Sequence, residues 1–227
     1  MTVTFNNMVY GSFGYRAPAA PGIYNITSGT KAPVFGTGPG AYPPSGWTGL
    51  INQSFDDAYT IVQNMPFTFS HSGVTSANVY VESNSYLTYG AGSNNFSGLS
   101  SSNPPLPKFF FGSADNSYQR VSYVFSGTNY VRIRYEGTAA TSGTVGNPNI
   151  VYEVTHFNPS LFGGNNVIEV LVGKHARVSG GLFGSANTTN YYVSGTIAAN
   201  QSYVFDGTST GNNHTLYTGY YISGTDY

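Results

Sequence analysis

Apolar and polar side chains alternate in the middle of the chain. In residues 130–136, valine, isoleucine and tyrosine alternate with arginine and glutamate. In residues 150–157, one face carries Ile150, Tyr152, Val154 and His156 and the other carries Val151, Glu153, Thr155 and Phe157. A period of two is typical of a β-strand that turns one face towards a core. The pattern therefore predicts two half-buried strands, joined by the turn-rich residues 137–149.

Charged residues on these two strands predict how they pair. If the strands are antiparallel, Arg132 or Arg134 can lie opposite Glu153 across the ladder. Such a cross-strand pair contributes about 1 kcal/mol or less, so it helps to set the register and does not hold the sheet together. We interpret this hairpin as the centre of an all-β, antiparallel β-sandwich of jelly-roll or immunoglobulin-like type.

The rest of the chain divides into three segments of different character. Residues 1–50 hold half of the 12 prolines and predict an extended N-terminal arm, because proline removes ladder donors. We expect this arm to lie on its own domain or on a neighbouring subunit. Residues 51–178 carry the alternating runs and predict the β-sandwich module. Residues 179–227 are rich in tyrosine and glycine and predict two to four further short strands.

Composition narrows the class of protein. Charged residues make up 7% of the 227 residues, where about a quarter is usual, and the formal net charge is −1. The few basic residues are scattered, so we predict neither a nucleic-acid surface nor a polybasic membrane patch. Weak self-repulsion suits a subunit of a dense assembly.

Cysteine is absent, which excludes disulfides, thiolate nucleophiles and cysteine metal sites. The first residues lack the basic start and apolar stretch of a signal peptide, and no apolar run approaches the roughly 18 residues of a membrane helix. We therefore expect no membrane insertion and a product that is assembled in a cytoplasm.

Three acids are the best candidates for a cation site: Asp56, Asp57 and Asp115. Calcium needs six to eight oxygen ligands, and loops rich in aspartate and asparagine can supply them. No spaced calcium-loop pattern is present, so the alternative is that these acids accept hydrogen bonds from nearby main-chain amides in turns. We predict no metal and no cofactor.

Two of the four glutamates could form a glycosidase pair, since two carboxylates at suitable separation perform that reaction. The four are Glu82, Glu136, Glu153 and Glu169. Glu136 and Glu153 share strands with arginines, so ladder ion pairs explain them without catalysis. Loss of turnover in Glu136→Gln or Glu153→Gln would support a hydrolase.

The four histidines predict structural roles, because they fall on different segments without metal-ligand spacing. They are His71, His156, His175 and His214. No nucleophile elbow, phosphate loop or dinucleotide fingerprint is present in the sequence. We expect hydrogen-bonded histidines and no catalytic residues.

Tyrosines near the C-terminus are the candidate contact surface. Tyrosine gives a large contact area at low entropic cost, and the serine, glycine and asparagine around it supply adaptable hydrogen bonds. Tyr217, Tyr220 and Tyr221 are therefore predicted to contact a glycan or a partner subunit. The alternative is that they fill a thin aromatic core or form cross-strand pairs.

The order of the motifs across residues 55–175 resembles a β-rich module of virion structural proteins of tailed phages, especially cyanophages. The matching stretches are Asp56–Tyr59, Pro66–Phe69, Val81–Thr88, Leu106–Phe109, Ala114–Arg120, Arg132–Gly137, Thr141–Thr144 and Pro148–Glu153. The front half is also similar to nidogen-type β-modules, except that Ala58 and Ser85 stand where that pattern favours glycine. The phage resemblance implies a non-enzymatic particle component.

These observations lead to one main hypothesis and one alternative. The main hypothesis is a non-enzymatic phage virion structural protein, either a capsid decoration (cement) protein or a tail or fibre component. Its expected partners are other virion proteins and further copies of itself, with a trimer as one candidate, and its expected location is the virion. The alternative is a carbohydrate-binding adhesin that recognises a glycan on the host surface.

Overall fold

The computed structural model describes residues 24–36, 41–94, 107–113, 116–138, 148–176, 181–186, 191–208 and 214–224. Within these ranges the chain forms strands and one short 3₁₀ helix (Pro159–Phe162). The strands are β1 (Tyr24–Ser28), β2 (Thr48–Phe55), β3 (Tyr59–Val62), β4 (Phe69–His71), β5 (Val74–Ser76), β6 (Val79–Glu82), β7 (Tyr86–Thr88), β8 (Lys108–Ser113), β9 (Ser117–Ser126), β10 (Tyr130–Thr138), β11 (Ile150–Phe157), β12 (Asn166–His175), β13 (Gly181–Ala186), β14 (Tyr191–Ile197), β15 (Ser202–Gly207), β16 (His214–Thr218) and β17 (Tyr220–Gly224).

Two large antiparallel sheets pack face to face. The first has seven strands in the order β16-β15-β12-β11-β10-β9-β2, and the second has six in the order β14-β13-β8-β7-β6-β3. Small two-stranded sheets are formed by β1 with β17 and by β4 with β5. The predicted all-β sandwich is therefore confirmed, and the tyrosine-rich C-terminal strands β13 to β16 lie in the same two sheets as the strands of residues 51–178.

The central hairpin forms as its alternation predicted. Strands β10 and β11 pair antiparallel, with Arg134 directly opposite Glu153 and Tyr135 opposite Tyr152. Residues 139–147 of the predicted connection lie outside the described ranges. Val131, Ile133 and the other inward-facing residues of the hairpin contribute to the core between the sheets.

Aromatic rings fill much of that core. Phe111 of the six-stranded sheet lies 4.7 Å from the ring of Tyr135 and 5.9 Å from the ring of Tyr152, both of the seven-stranded sheet. Such tilted and edge-to-face pairs add to the large apolar area that aromatic side chains bury. A thin interior of this kind suits a sequence with 20 tyrosines and 15 phenylalanines.

The prediction that the central strands are half-buried is wrong. Every residue of β11, and every residue of β10 as far as Gly137, is buried on both faces. The outer face of the seven-stranded sheet is covered by the ribbon (β1 and β17) and by residues 31–36, which we call the strap. The N-terminal segment from Tyr24 to Gly36 thus lies on its own sheet, whereas residues 1–23 and 37–40 of the predicted arm lie outside the described ranges.

Candidate functional site

Four charged side chains form a network on the outer face of the seven-stranded sheet. The guanidinium of Arg134 donates from Nη1 to Glu153 Oε1 at 3.0 Å and from Nε to Glu136 Oε1 at 2.9 Å. Arg120 Nη1 lies 3.7 Å from the other oxygen of Glu136. We call Arg120, Arg134, Glu136 and Glu153 the ion cluster. The cluster confirms the predicted ladder pair of Arg134 with Glu153. Because this pair is buried, its contribution to stability depends on how well its hydrogen bonds compensate for the loss of water.

The strap binds this cluster through its main chain. The amide of Val34 donates to Glu153 Oε2 at 2.8 Å, and the amide of Phe35 donates to Oε1 of the same carboxylate at 3.4 Å. The carbonyl of Gly36 accepts from both terminal nitrogens of Arg134 at 3.3 Å. The buried charges therefore bind the strap through its main-chain amides and carbonyl and not through a charged side chain of the strap.

Glu169 is a second anchor, beneath the ribbon. Its Oε1 accepts a hydrogen bond from the amide of Ile222 at 2.6 Å. Burial raises the pKa of Glu169 to about 7, although that hydrogen bond and the charges of Lys31 and Arg132 act in the opposite direction. Burial also lowers the pKa of Lys31, which lies at the start of the strap.

Two of the candidate glutamates, Glu136 and Glu153, are thus joined through the same arginine. Glu82 lies apart from them, on the outer face of the six-stranded sheet. There its Oε1 accepts hydrogen bonds from Thr88 Oγ1 at 2.8 Å and from the amide of Ser93 at 2.9 Å. Burial raises the pKa of Glu82 to about 8 and lowers that of nearby Lys108 to about 8. The sequence does not indicate that Glu82 and Lys108 are neighbours. Their strands, β6 and β8, are far apart in the chain and lie on either side of β7 in the sheet.

Two of the three candidate cation residues, Asp56 and Asp57, lie within the described ranges. Asp57 Oδ1 accepts a hydrogen bond from Asn84 Nδ2 at 3.1 Å in the connection between β2 and β3, where Asp56 also lies. Asp115 lies outside the described ranges. In the part of the chain that is described, no three His, Asp or Glu side chains are grouped so as to hold a metal ion.

Two of the four histidines, His71 and His156, are buried in the core, whereas His175 and His214 are half-buried. His71 Nε2 lies 3.1 Å from the carbonyl oxygen of Lys108, and His175 Nδ1 lies 2.6 Å from the hydroxyl of Tyr152. His156 departs from the expectation of hydrogen-bonded histidines, since both of its ring nitrogens are buried without a partner among the described residues. Burial lowers the pKa of His71 to about 4 and that of His156 to about 3.

The three candidate contact tyrosines lie on two faces. Tyr217 and Tyr220 have ring centroids 5.0 Å apart and pack, half-buried, on a cluster that includes Tyr24 and Ile222. Tyr221 points to the opposite face of the ribbon, where Lys31 Nζ lies 6.0 Å from its ring centroid. Packing thus accounts for Tyr217 and Tyr220, and the contact role of all three stays a prediction.

Charge is distributed in an unusual way across the molecule. Seven of the thirteen charged residues in the described ranges are buried, and Asp57 is the only one of the thirteen that is exposed. The seven are Glu82, Lys108, Arg132, Arg134, Glu136, Glu153 and Glu169. Charged side chains are normally the least buried of all, so this arrangement leaves the described surface almost uncharged.

Three large apolar side chains of the described residues are exposed to solvent. Val34 and Phe35 of the strap are 51% and 43% exposed, and Tyr59 at the edge of the other sheet is 45% exposed. Phe35 packs edge to face on Trp47, with ring centroids 5.4 Å apart. We call Val34, Phe35 and Trp47 the apolar patch.

No helix among the described residues has the length and apolar character to cross a membrane. Comparisons of the chain with protein-family models, with curated proteins and with solved structures find no match.

Proposed function

We propose that the protein is a non-enzymatic structural subunit of a tailed-phage virion, either a capsid decoration protein or a tail or fibre component. The observation that carries this proposal is the distribution of charge, with Asp57 alone exposed among the charged residues of the described ranges. The particle is the expected location, and its other proteins are the expected partners.

An uncharged surface suits close packing against neighbours. Net charge far from zero keeps proteins apart in solution, whereas a surface without charge offers little repulsion at any orientation. The chain as a whole has a net charge of −1. Hydroxyl and amide side chains on such a surface form adaptable hydrogen bonds with a neighbouring subunit.

The state of the acids favours a structural role over hydrolysis. A glycosidase needs two carboxyl groups that reach a sugar between them. Glu136 and Glu153 are instead engaged by Arg134, and Glu153 also receives two main-chain amides of the strap. Both carboxylates are therefore already bound by groups of the protein itself.

The resemblance of residues 55–175 to a β-rich virion module is the reason for choosing a phage particle over another assembly. The matching motifs include the central hairpin and the strands that precede it. The fold is compatible with that resemblance, because β-sandwiches are common in subunits that pack by their surfaces.

Mass spectrometry of purified particles tests the proposal directly. We expect peptides of this chain in particles of the phage that encodes it, purified on a density gradient, at a constant ratio to the major capsid protein. A replication enzyme of the same phage serves as the control for contamination. Absence of the chain from intact particles would refute the proposal.

Glycan binding is the second candidate function, and the outward face of the ribbon favours it. There the ring of Tyr221 lies beside Thr27 and Ser223, whose hydroxyl oxygens are 2.8 Å apart. A glycan array with the wild type, Tyr221→Ala and Tyr217→Ala would separate the two functions. A glycan-dependent signal that Tyr221→Ala removes would support an adhesin, whereas a purely structural subunit gives no such signal.

A further inference from the structure

The strap has an unusual orientation, with polar main-chain groups towards the protein and apolar side chains towards solvent. Its main chain faces the buried carboxylate of Glu153 and the guanidinium of Arg134, while the side chains of Val34 and Phe35 face solvent. In a free monomer the opposite orientation would bury more apolar area. An apolar patch that is held outwards in this way marks a surface that another molecule covers.

The patch is also held rigidly. Hydrogen bonds to the ion cluster fix the strap on one side of it. On the other side the hydroxyl of Tyr42 donates to the carbonyl of Val121 at 2.7 Å, and the amide of Trp47 donates to the carbonyl of Pro44 at 2.9 Å. Preorganised contact residues lose little conformational entropy on binding, which is the property of an interface centre.

We propose that the apolar patch is the centre of an interface with a second copy of this chain. This inference rests on the proposed function and names the partner of that surface. Among the described residues Asp57 is the one exposed charge, and this scarcity of charge favours a second copy, because two such surfaces meet with little repulsion and offer little complement to a charged partner. The simplest symmetric arrangement packs the patch of one copy on the same patch of the other.

The uncharged polar surface around the patch completes the interface. A stable interface buries about 800 Å² on each partner, which is more than three side chains supply. Ser45 and Thr48, which flank Trp47, are both exposed and uncharged. The patch then contributes the apolar centre and these residues contribute a polar rim.

Trp47 reports on this interface, because it is the only tryptophan in the chain. The test is sedimentation velocity and tryptophan emission of the full chain over a concentration series. We expect the mass to rise from that of one chain to that of two and the emission to shift to shorter wavelength over the same concentrations. A chain that stays monomeric with unchanged emission would overturn the inference.

Matched variants locate the contact. Phe35→Ser and Val34→Ser remove exposed side chains, so folding should be retained, and each should weaken association about tenfold or more. Tyr59→Ser removes an equally exposed side chain on the other sheet and should leave association unchanged. Association that survives Phe35→Ser, or that Tyr59→Ser abolishes, would place the interface elsewhere.

The outcomes also separate this inference from the proposed function. A chain that is present in the particle but monomeric in solution, with normal emission from Trp47, refutes the inference alone. A chain that dimerises through the patch but is absent from the particle refutes the proposed function alone. A shift of Trp47 emission on adding a neutral polysaccharide, at constant monomer mass, would assign the patch to glycan binding and overturn the inference.

Discussion

His156 is a polar residue in a wholly aromatic surrounding. Its ring centroid lies 4.7 Å from that of Phe69 and 6.0 Å from that of Tyr89. The titratable group whose charge acts on it is His71, which lowers its pKa further, and no carboxylate acts on it in the opposite direction. A proton on His156 would therefore be buried without an acceptor, which is why its pKa falls to about 3.

These two histidines oppose folding in acid. The unfolded chain binds protons at both below pH of about 6.5, whereas the folded chain binds them only near pKa values of about 4 and 3. Each histidine therefore lowers stability by about 1.4 kcal/mol per pH unit as pH falls below 6.5, whereas Glu82 and Glu169, whose pKa values are raised, act in the opposite direction. In urea unfolding, the stability of His156→Leu relative to wild type should therefore rise by about 1.4 kcal/mol per pH unit between pH 6 and 5. Val154→Ala, at a neighbouring core position, should lower stability equally at every pH, and a pH dependence of His156→Leu equal to that of wild type would contradict the account.

Glu82 presents the opposite case, a carboxyl group whose pKa burial raises to about 8. The hydroxyl of Thr88 lies 2.8 Å from Glu82 Oε1 and 2.7 Å from the carbonyl of Ala91, so its one hydrogen is shared between two acceptors. The hydrogen bonds that Glu82 accepts from Thr88 and from the amide of Ser93 favour the carboxylate, but burial has the larger effect.

Replacing Glu82 should therefore change how stability depends on pH between about 4.5 and about 8. With a pKa of about 8 when folded and 4.5 when unfolded, Glu82 contributes most below pH 4.5 and loses that contribution as pH rises towards 8. Glu82→Gln keeps the shape and cannot ionise, so we expect its stability relative to wild type to rise by about 1.4 kcal/mol per pH unit between pH 5 and 7. Chemical denaturation at three pH values measures this, and equal slopes for the two proteins would exclude a protonated Glu82.

At the scale of elements, the strap explains why sequence reasoning was right about β10 and β11 and wrong about their exposure. Alternation depends on neighbouring residues, so it identified both strands and gave Glu153 as the partner of Arg132 or Arg134, of which the structure selects Arg134. Burial of the charged face depends on the strap, and Val34 is 119 positions away from Glu153 in the chain. The six residues of the strap have no periodicity that would predict such a contact.

Removal of the Glu153 carboxylate should release the strap. Glu153→Ala leaves Arg134 buried without that partner and leaves two strap amides without an acceptor, so we expect the free energy of unfolding to fall by about 3–5 kcal/mol. Trypsin should then cleave after Lys31, which is half-buried when the strap is bound. N-terminal sequencing of the fragments locates the cut. Asp57→Asn, at the exposed acid, should behave as wild type, and equal protection of Lys31 in all three proteins would contradict the anchoring role.

For the whole molecule, the sequence predicts the fold class but not which strands are neighbours in the two sheets. Strand-forming runs and turns predicted a sandwich, but β2 pairs with β9, and β8 pairs with β13, across long stretches of chain. The C-terminal tyrosines were identified as a surface candidate, yet the apolar patch was not, because two exposed apolar residues in a loop leave no pattern. Phe35 and Trp47 become neighbours only in the folded chain.

Because few charges of the described residues are exposed, the repulsion between two molecules should depend little on salt. We expect the concentration dependence of light scattering to change little between ionic strengths of roughly 0.01 M and roughly 0.15 M, although the screening length falls from about 30 to about 8 Å. The double variant Asn52→Lys, Gln53→Lys adds two charges at exposed positions of β2. It should show repulsion that salt removes, and an equally strong salt effect in the wild type would contradict the described surface.

The pairing of β1 with β17 places Tyr24 directly opposite Gly224. Tyr24 and Gly224, at the two ends of the described ranges, therefore lie side by side. In a chain trimmed to residues 24–224, a short flexible linker could join them, and new termini could be opened at the exposed turn at Gly127 and Thr128 between β9 and β10, without breaking a ladder in either sheet. A peptide fused directly to Tyr24 or to Gly224 would start from neighbouring points of this circularly permutable scaffold, which makes that end of the ribbon a site for displaying cargo.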